Sequence, residues 1–284
     1  MSNQSQQDVC CLMGDPVAGN PTQYMLEQAF DAAHLDWRFL TFEVSAVDFE
    51  GALRGARIFG FRGVMLAPPH RARALPYLEE LGDAARISGQ VNCVAQTDGR
   101  LRGYNTEGRA LRHLLEQHGP LTGAKVTVLG AGRVAKSIAA ELASVEVQEL
   151  AFVTRRPDEA EKFAARLTDE TPLGACAVVP WEEDAPLRAV EGSRVLINAT
   201  PLGRPDDGPL EVSLQGLAPK SVVADVLYNP PQTPLLSRAG EGDFVTVDGL
   251  TLLIEQAALA FEIWTGASAD RTVMREAVEE FLVL

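Results

Sequence analysis

The residues best placed to do chemistry form a turn, Gly130-Ala131-Gly132-Arg133-Val134-Ala135. A β-branched, apolar run from Lys125 to Leu129 leads into it, and an Ala-rich helical pattern from Ser137 to Ala143 follows directly. Each part has a physical reason. Gly130 lets the chain turn tightly off a strand, Gly132 has no side chain to hold a pyrophosphate away from the backbone, and Ala135 lets the next helix sit close. The helix start then offers unpaired N–H groups and a positive dipole end to phosphates. A lone glycine triplet is a weak signal. Set between a strand and a helix, it predicts a dinucleotide site.

The following strand, Glu149 to Val153, indicates which dinucleotide. It ends in Thr154-Arg155-Arg156, about twenty residues beyond the glycines, where an acidic side chain suits NAD and an arginine suits the extra phosphate of NADP. The sequence points to NADP. The competing reading makes Arg155 and Arg156 solvated loop charges.

The elements that must position this turn are set by the whole chain. Its 284 residues suffice for two domains with separate cores. A formal net charge of −14 argues against nucleic acid or an anionic membrane surface as partner. The four cysteines, Cys10, Cys11, Cys93 and Cys176, lack metal-type spacing, so no metal site is expected. Cys10 and Cys11 read as buried strand residues in a reducing compartment. Met1 to Asp8 is polar, and no apolar run reaches bilayer length, so a soluble, cytoplasmic protein is expected.

In chain order, strands are expected at Val9 to Met13, Trp37 to Val44 and Gly63 to Leu66, with helices from Tyr24 to Ala33 and Asp48 to Arg57. A helix is expected after Pro68-Pro69, carrying Leu75, Leu78 and Leu81 on one face. Val91 to Ala95 and Leu101 to Tyr104 pair around the Asp98-Gly99 turn. A linking helix, Glu107 to His118, precedes the dinucleotide unit. Later strands fall at Arg194 to Asn198, Ser221 to Val226 and Phe244 to Val247, and helices at Leu250 to Trp264 and Arg271 to Leu282. Glu182 to Pro186 and Pro205 to Pro209 read as surface loops. The alternation predicts an α/β fold with largely parallel sheet.

These residues carry a resemblance to the shikimate dehydrogenase family, including its quinate-using relatives. It rests on Gly14-Asp15-Pro16, Gln90-Val91-Asn92, Gly103-Tyr104-Asn105-Thr106, Asn198-Ala199-Thr200-Pro201-Leu202-Gly203, Asp225-Val226-Leu227-Tyr228-Asn229-Pro230 with Thr233-Pro234-Leu235, and Asp248-Gly249 with Gln256-Ala257-Ala258. The resemblance implies an N-terminal α/β substrate domain, residues 1–106, completed by C-terminal helices 250–284. It also implies a Rossmann-like NADP-binding domain, 107–249, an active-site cleft between the two, and Thr200, Val226 and Gly249 as further cofactor contacts. The implied reaction is reversible reduction of a cyclic keto-acid such as 3-dehydroshikimate, and the partner a small polyhydroxylated carboxylic acid. A homodimer stays open.

The departures matter as much. Where the family reads His-Ser-x-Ser-Pro, this chain has Gly19-Asn20-Pro21-Thr22-Gln23; Asn20 and Thr22 can still hydrogen-bond a carboxylate. Asn-Val-Thr-x-Pro-x-Lys becomes Met65-Leu66-Ala67-Pro68-Pro69-His70-Arg71, and the aspartate of Asn-Thr-Asp-Gly becomes Glu107. Asn92, Asn105, Tyr228 and Gln256 keep the polar types expected around a polyol.

Hydride transfer at a C–O carbon needs a group that moves the hydroxyl proton. Arg71 stays protonated and can clamp an oxygen, but it shuttles protons poorly. Glu107 can accept the proton instead, although a first-turn glutamate favoured by the helix dipole reads the same way. His70 is expected at the surface. Gln256 could equally face solvent, and Asn92 and Asn105 could serve as turn residues. The leading reading is an NADP-dependent oxidoreductase with Arg71 and Glu107 as its catalytic pair. The alternative is a sensor that binds NADP and a small ligand without turnover.

Overall fold

The computed structural model describes residues 7–182 and 185–284. Residues 1–6 of the polar start, and residues 183–184 of the expected Glu182-to-Pro186 loop, lie outside the described residues. The chain divides into two compact units.

The first unit runs to Thr106 and resumes at Ile254–Leu284. Its strands are β1 (Asp8–Gly14), β2 (Trp37–Glu43), β3 (Gly63–Leu66), β4 (Glu80–Leu81), β5 (Cys93–Thr97) and β6 (Arg100–Tyr104), in the sheet order β2-β1-β3-β5-β6-β4. Its helices are α1 (Thr22–Ala32), α2 (Phe49–Ile58) and α3 (Asp83–Ser88). Strand β1 lies between two parallel neighbours, which is why Cys10-Cys11-Leu12-Met13 is apolar throughout. Three of the five strand pairings here are parallel, in keeping with the expected largely parallel sheet. β5 runs antiparallel to both β3 and β6, and its pairing with β6 is closed by a tight hairpin at two positive-φ residues, Asp98 and Gly99.

The helix expected after Pro68-Pro69 does not form. Turns lead to a short 3-10 helix at Leu75–Tyr77, then β4. Pro76 removes a backbone donor, and pairing of Leu81 with Gly103 draws the segment into the sheet. Leu75, Leu78 and Leu81 still turn into the core, so the apolar face survives in a different element.

The second unit, Glu107–Leu253, holds a six-stranded parallel sheet. Its strands are β7 (Lys125–Leu129), β8 (Glu149–Thr154), β9 (Ala175–Pro180), β10 (Val195–Asn198), β11 (Val222–Asp225) and β12 (Val245–Val247), ordered β12-β11-β10-β7-β8-β9. Helices α4 (Thr106–Glu116), α5 (Arg133–Leu142), α6 (Pro157–Glu170), α7 (Ala185–Val190) and α8 (Pro234–Glu241) connect them. Helix α7 begins inside the segment expected as a loop, so that expectation is corrected from Ala185 onward. The strand order reverses between β7 and β10. In such doubly wound sheets a ligand crevice lies at that point, outside the carboxyl ends of the strands.

Helix α9 (Gly249–Thr265) and helix α10 (Arg271–Leu282) close the chain. The later turns of α9 belong to the first unit's core. The Trp264 indole N–H donates to Val94 O at 3.0 Å, and the ring occupies the space where a β-carbon on Gly63 would stand, 2.1 Å from Nε1. Phe261 stacks on Phe30 of α1 at 5.4 Å between ring centroids.

Candidate active site

In the second unit, three loop tips meet at the carboxyl ends of β7, β10 and β11. Gly130 has φ +95°, and a β-carbon there would lie 3.0 Å from Thr200 Cγ2 and 3.1 Å from Ala199 O, so only glycine permits the turn and the close approach together. Thr200 is fixed by Asn198, whose Oδ1 accepts from Thr200 N at 3.0 Å and from its hydroxyl at 2.7 Å. Val226 N donates to Asn198 O at 3.1 Å. Gly130, Thr200 and Val226 are therefore brought together.

Gly132 caps α5 in an ordinary extended conformation, and a β-carbon there would meet no protein atom within 4 Å. The glycine is thus required neither by backbone strain nor by protein packing. It keeps open the space before a helix N-terminus, which fits a phosphate. Ala131 and Ala135 are buried, Val134 is half-buried, and Arg133 is exposed. Ala135 packs as the sequence requires. Gly249 has a different role: a β-carbon there would sit 2.3 Å from Leu227 O, so it serves helix packing first.

At the end of β8, Thr154 is buried and its Oγ1 accepts from Arg156 N at 3.1 Å. Arg155 is exposed and makes no ion pair among the described residues. Arg156 lies 3.8 Å from Glu159 with both side chains largely exposed, which is a weak surface pair.

The sequence did not single out Asp225 as a side chain with a role. It is buried, its Oδ1 accepts from Asn198 Nδ2 at 3.0 Å and Leu227 N at 3.2 Å, and its Oδ2 from Thr233 Oγ1 at 2.8 Å. Burial pushes its carboxyl above the ordinary 3.8, while the hydrogen bonds from Thr233, Leu227 and Asn198 pull the other way. This buried carboxylate ties the loop after β10 to the loop after β11. Tyr228, half-buried, follows on that second loop.

In the first unit, Asn92 is the hub. Its Nδ2 donates to Thr106 Oγ1 at 2.9 Å and to Gln256 Oε1 at 3.3 Å, and its Oδ1 accepts from Thr106 N at 2.7 Å. Asn105 Nδ2 donates to Gln90 O at 3.1 Å. Asn92, Asn105 and Gln256 are all buried, so Gln256 does not face solvent. Thr106 is the partner the sequence reading passed over, although it stands between Asn105 and Glu107. Asn20 and Thr22 are joined to each other, Asn20 Oδ1 accepting from Thr22 N at 3.0 Å. No hydrogen bond among the described residues links either to the Asn92 group.

Arg71 is half-buried on the turn after β3. Its Nε–H donates to Leu66 O at 3.1 Å, and its carbonyl accepts from Val91 N at 2.9 Å. His70 is corrected from the surface to the interior. It is 0% exposed, its ring stacks on Phe49 with centroids 4.3 Å apart and planes at 8°, and its Nε2 donates to Val44 O at 2.8 Å. That aromatic surface and that carbonyl, both distant in sequence, draw it inward. Glu107 opens the first turn of α4 and is 8% exposed. Among the described residues no His, Cys, Asp and Glu group could hold a metal ion, and no helix is long and apolar enough to cross a membrane.

Family comparisons agree with this arrangement. Residues 12–94 match the shikimate dehydrogenase substrate binding domain, 113–197 the shikimate / quinate 5-dehydrogenase domain, and 249–279 the shikimate 5'-dehydrogenase C-terminal domain. A shikimate dehydrogenase (NADP(+)) of Desulforamulus reducens is 35% identical, over 96% of this chain and 94% of that one. Two solved structures are similar over nearly their whole lengths. The 5-ketofructose reductase of Gluconobacter sp. strain CHM43 is 33% identical with a TM-score of 0.89, covering 97% of this chain and 99% of that one. The shikimate 5-dehydrogenase of Listeria monocytogenes, in complex with shikimate and NAD, is 29% identical with a TM-score of 0.90, covering 97% and 98%. The first unit carries a substrate-domain sheet and the second a doubly wound dinucleotide sheet, which together define a two-unit α/β oxidoreductase. The chain belongs to the shikimate dehydrogenase family. The expected cofactor, NADP, agrees with the names of the curated relatives, and the sensor alternative gains no support from them.

Proposed function

We propose that the protein catalyses reversible, NADP-dependent reduction of a ketone on a small polyhydroxylated carboxylic acid of the shikimate type. The observation that carries this reading is the buried Asn92–Thr106–Gln256 group, whose carboxamides suit several hydroxyls at once. NADP, when bound, supplies or takes the hydride. Gly130, Ala131 and Gly132 at the switch point and the start of α5 would hold its pyrophosphate, and exposed Arg155 would meet the 2′-phosphate.

This chain's own residues supply the rest. Arg71, always cationic, holds an oxygen of the substrate and stabilises charge that develops there. Glu107, one methylene longer than aspartate, takes up the hydroxyl proton on oxidation and returns it on reduction. Asn92, Asn105 and Gln256 orient the hydroxyls, and Asn20, Thr22 and Tyr228 complete the binding set.

A second reading is a neutral polyhydroxylated ketone. The likeness to the 5-ketofructose reductase of Gluconobacter sp., together with Arg71, Ala67 and Glu107 in place of the family's lysine, threonine and aspartate, favours it. Initial rates with NADPH and NADH on 3-dehydroshikimate and 5-ketofructose, and with NADP+ on shikimate and quinate, decide between them. Turnover of none at any pH would end both.

A further inference from the structure

Helix α2 carries two glycines that its own fold does not ask for. Gly51 and Gly55 lie inside the helix and neither has a positive φ, although glycine weakens a helix interior relative to alanine. Packing within the chain does not require them either. A β-carbon on Gly51 would meet no protein atom within 4 Å, and one on Gly55 would meet Phe59 Cε2 at an ordinary 3.7 Å.

The surface around the glycines is apolar and bare. Val47, one turn before Gly51, is 91% exposed, and Ile58, at the end of the helix, is 70% exposed. At 3.6 residues per turn, Val47, Gly51, Arg54, Gly55 and Ile58 fall on one outward seam. Beside the seam runs a groove, with buried Met13, Val44 and Ala56 beneath it and exposed Phe42 and Phe59 at its rim. Contiguous exposed apolar surface of this kind marks an interaction site. The neighbouring sheet edge, β2, is blunted against strand addition at its centre, because the Phe39 N–H already donates to the Glu27 carboxylate. What docks here therefore meets the helix.

The charges name the occupant. Glu50 stands exposed in the first turn, its Oε2 accepting from the Tyr77 hydroxyl at 3.0 Å. Arg54, one turn later, is exposed and makes no ion pair or hydrogen bond among the described residues. The helix dipole favours acid before base along a helix, but it accounts for neither the glycines nor bare Val47 and Ile58. A second α2 lying antiparallel across the seam accounts for all of them. A two-fold axis passing midway between Gly51 and Gly55 sets each glycine opposite the other, Val47 nearly level with Ile58, and Arg54 beside Glu50 on the same flank. Every contact then occurs twice, as an interface between identical surfaces demands.

We propose that α2 is the docking surface for a second copy of this chain, helix against antiparallel helix, with Gly51 and Gly55 letting the two backbones approach closely. The contact is made by the first unit alone and uses no residue given a part in the reaction, so it stands whatever the substrate.

The test uses the opposite signs that folding and association give. Sedimentation equilibrium of the full chain, from the nanomolar to the high micromolar range, should show a monomer–dimer equilibrium. Gly51→Ala combined with Gly55→Ala should keep or raise the melting temperature of the dilute monomer, because alanine favours the helix. The same variant should weaken the dimer by at least about tenfold, since the added carbons overpack the seam. Arg54→Glu should weaken it by a similar factor, by setting like charges together. Adding Glu50→Arg to Arg54→Glu should restore the dimer, which a merely structural loss would not allow. NADPH affinity, unchanged in every variant, checks that each remains folded. A monomer at every concentration would overturn the proposal. A dimer equally tight in either the glycine variant or Arg54→Glu would also overturn it, because another face would then hold the copies together. So would a loss in Arg54→Glu that Glu50→Arg does not recover.

Discussion

Asn92 and Gln256 meet side chain to side chain, Nδ2 to Oε1 at 3.3 Å, across 164 positions of sequence. The same Asn92 closes a reciprocal pair with Thr106, donating to its hydroxyl and accepting from its amide. One carboxamide thereby joins the start of β5, the start of α4 and helix α9. Replacing it with leucine should orphan buried groups on both partners. Asn92→Leu is expected to cost about 1–3 kcal/mol for each group left unpaired, read from the midpoint of urea unfolding, and to abolish turnover. Unfolding at the same midpoint would show that the bonds are not formed.

Gly132 and Gly249 are predicted to fail differently. Gly132→Val should keep its melting temperature, because the new side chain begins in open space, yet lose dinucleotide binding through obstruction of the phosphates. Gly249→Ala places a carbon 2.3 Å from Leu227 O and should destabilise by about 1–3 kcal/mol, as overpacking does. Fluorescence titration with NADPH and a thermal melt separate the two cases. Retained NADPH affinity in Gly132→Val would move the binding loop elsewhere.

Arg155 decides between the two cofactors. Removing its exposed guanidinium in Arg155→Ala should weaken NADPH by about 1.5–3 kcal/mol, the worth of a charge-assisted hydrogen bond, and leave NADH nearly unchanged. Equal losses for both would contradict the role given to it.

The catalytic pair makes a kinetic prediction. Glu107→Gln keeps shape and hydrogen bonding but removes the base, so kcat should fall by roughly 10²–10⁴ with KM little altered. Arg71→Ala should act mainly on KM. Arg71→Lys supplies a group that can move a proton and should raise the ratio of shikimate turnover to that of other substrates. A Glu107→Gln variant with unchanged kcat would transfer the base to another side chain.

Asp225 predicts a pH dependence of stability. Its folded value lies above the ordinary 3.8 because burial disfavours the charge. A group shifted upward contributes stability below its unfolded value and loses that contribution as pH rises through the folded value. Asp225→Asn should therefore gain on the unaltered protein over the range in which pH rises above about 4, measured as the difference in unfolding free energy. A difference that stays flat over that range would rule out the burial argument.

Local patterns announced some features and not others. The turn at Gly130 to Ala135 was legible because strand, glycines and helix lie side by side in the sequence. The hairpin at Asp98-Gly99 was legible for the same reason. His70 was not, since its burial is set by Val44 O and the Phe49 ring, whose positions only the fold fixes. The inward-facing leucines after Pro69 were readable, but the element that carries them was decided by pairing with β6. Helix α6 went unread although Pro157 opens it and Ala160, Phe163, Ala164 and Leu167 line its buried face. The charges between those residues mask the period.

The first unit is built from both ends of the chain: Phe30 meets Phe261, Trp264 binds Val94, and the Tyr24 hydroxyl donates to Glu280 at 2.7 Å. The second unit is one uninterrupted stretch, Glu107–Leu253. Protein synthesis runs from the N-terminus, and domains fold largely as units. On the ribosome the nucleotide-binding unit therefore has all its residues first, while β1 to β6 wait for the last thirty or so, about a tenth of the chain, to emerge. Loss of those residues to a protease or a premature stop would leave the dinucleotide fold intact and the substrate domain without its closing helices. Asn92 would then lose Gln256 as a partner, even though the dinucleotide-binding half of the protein had folded.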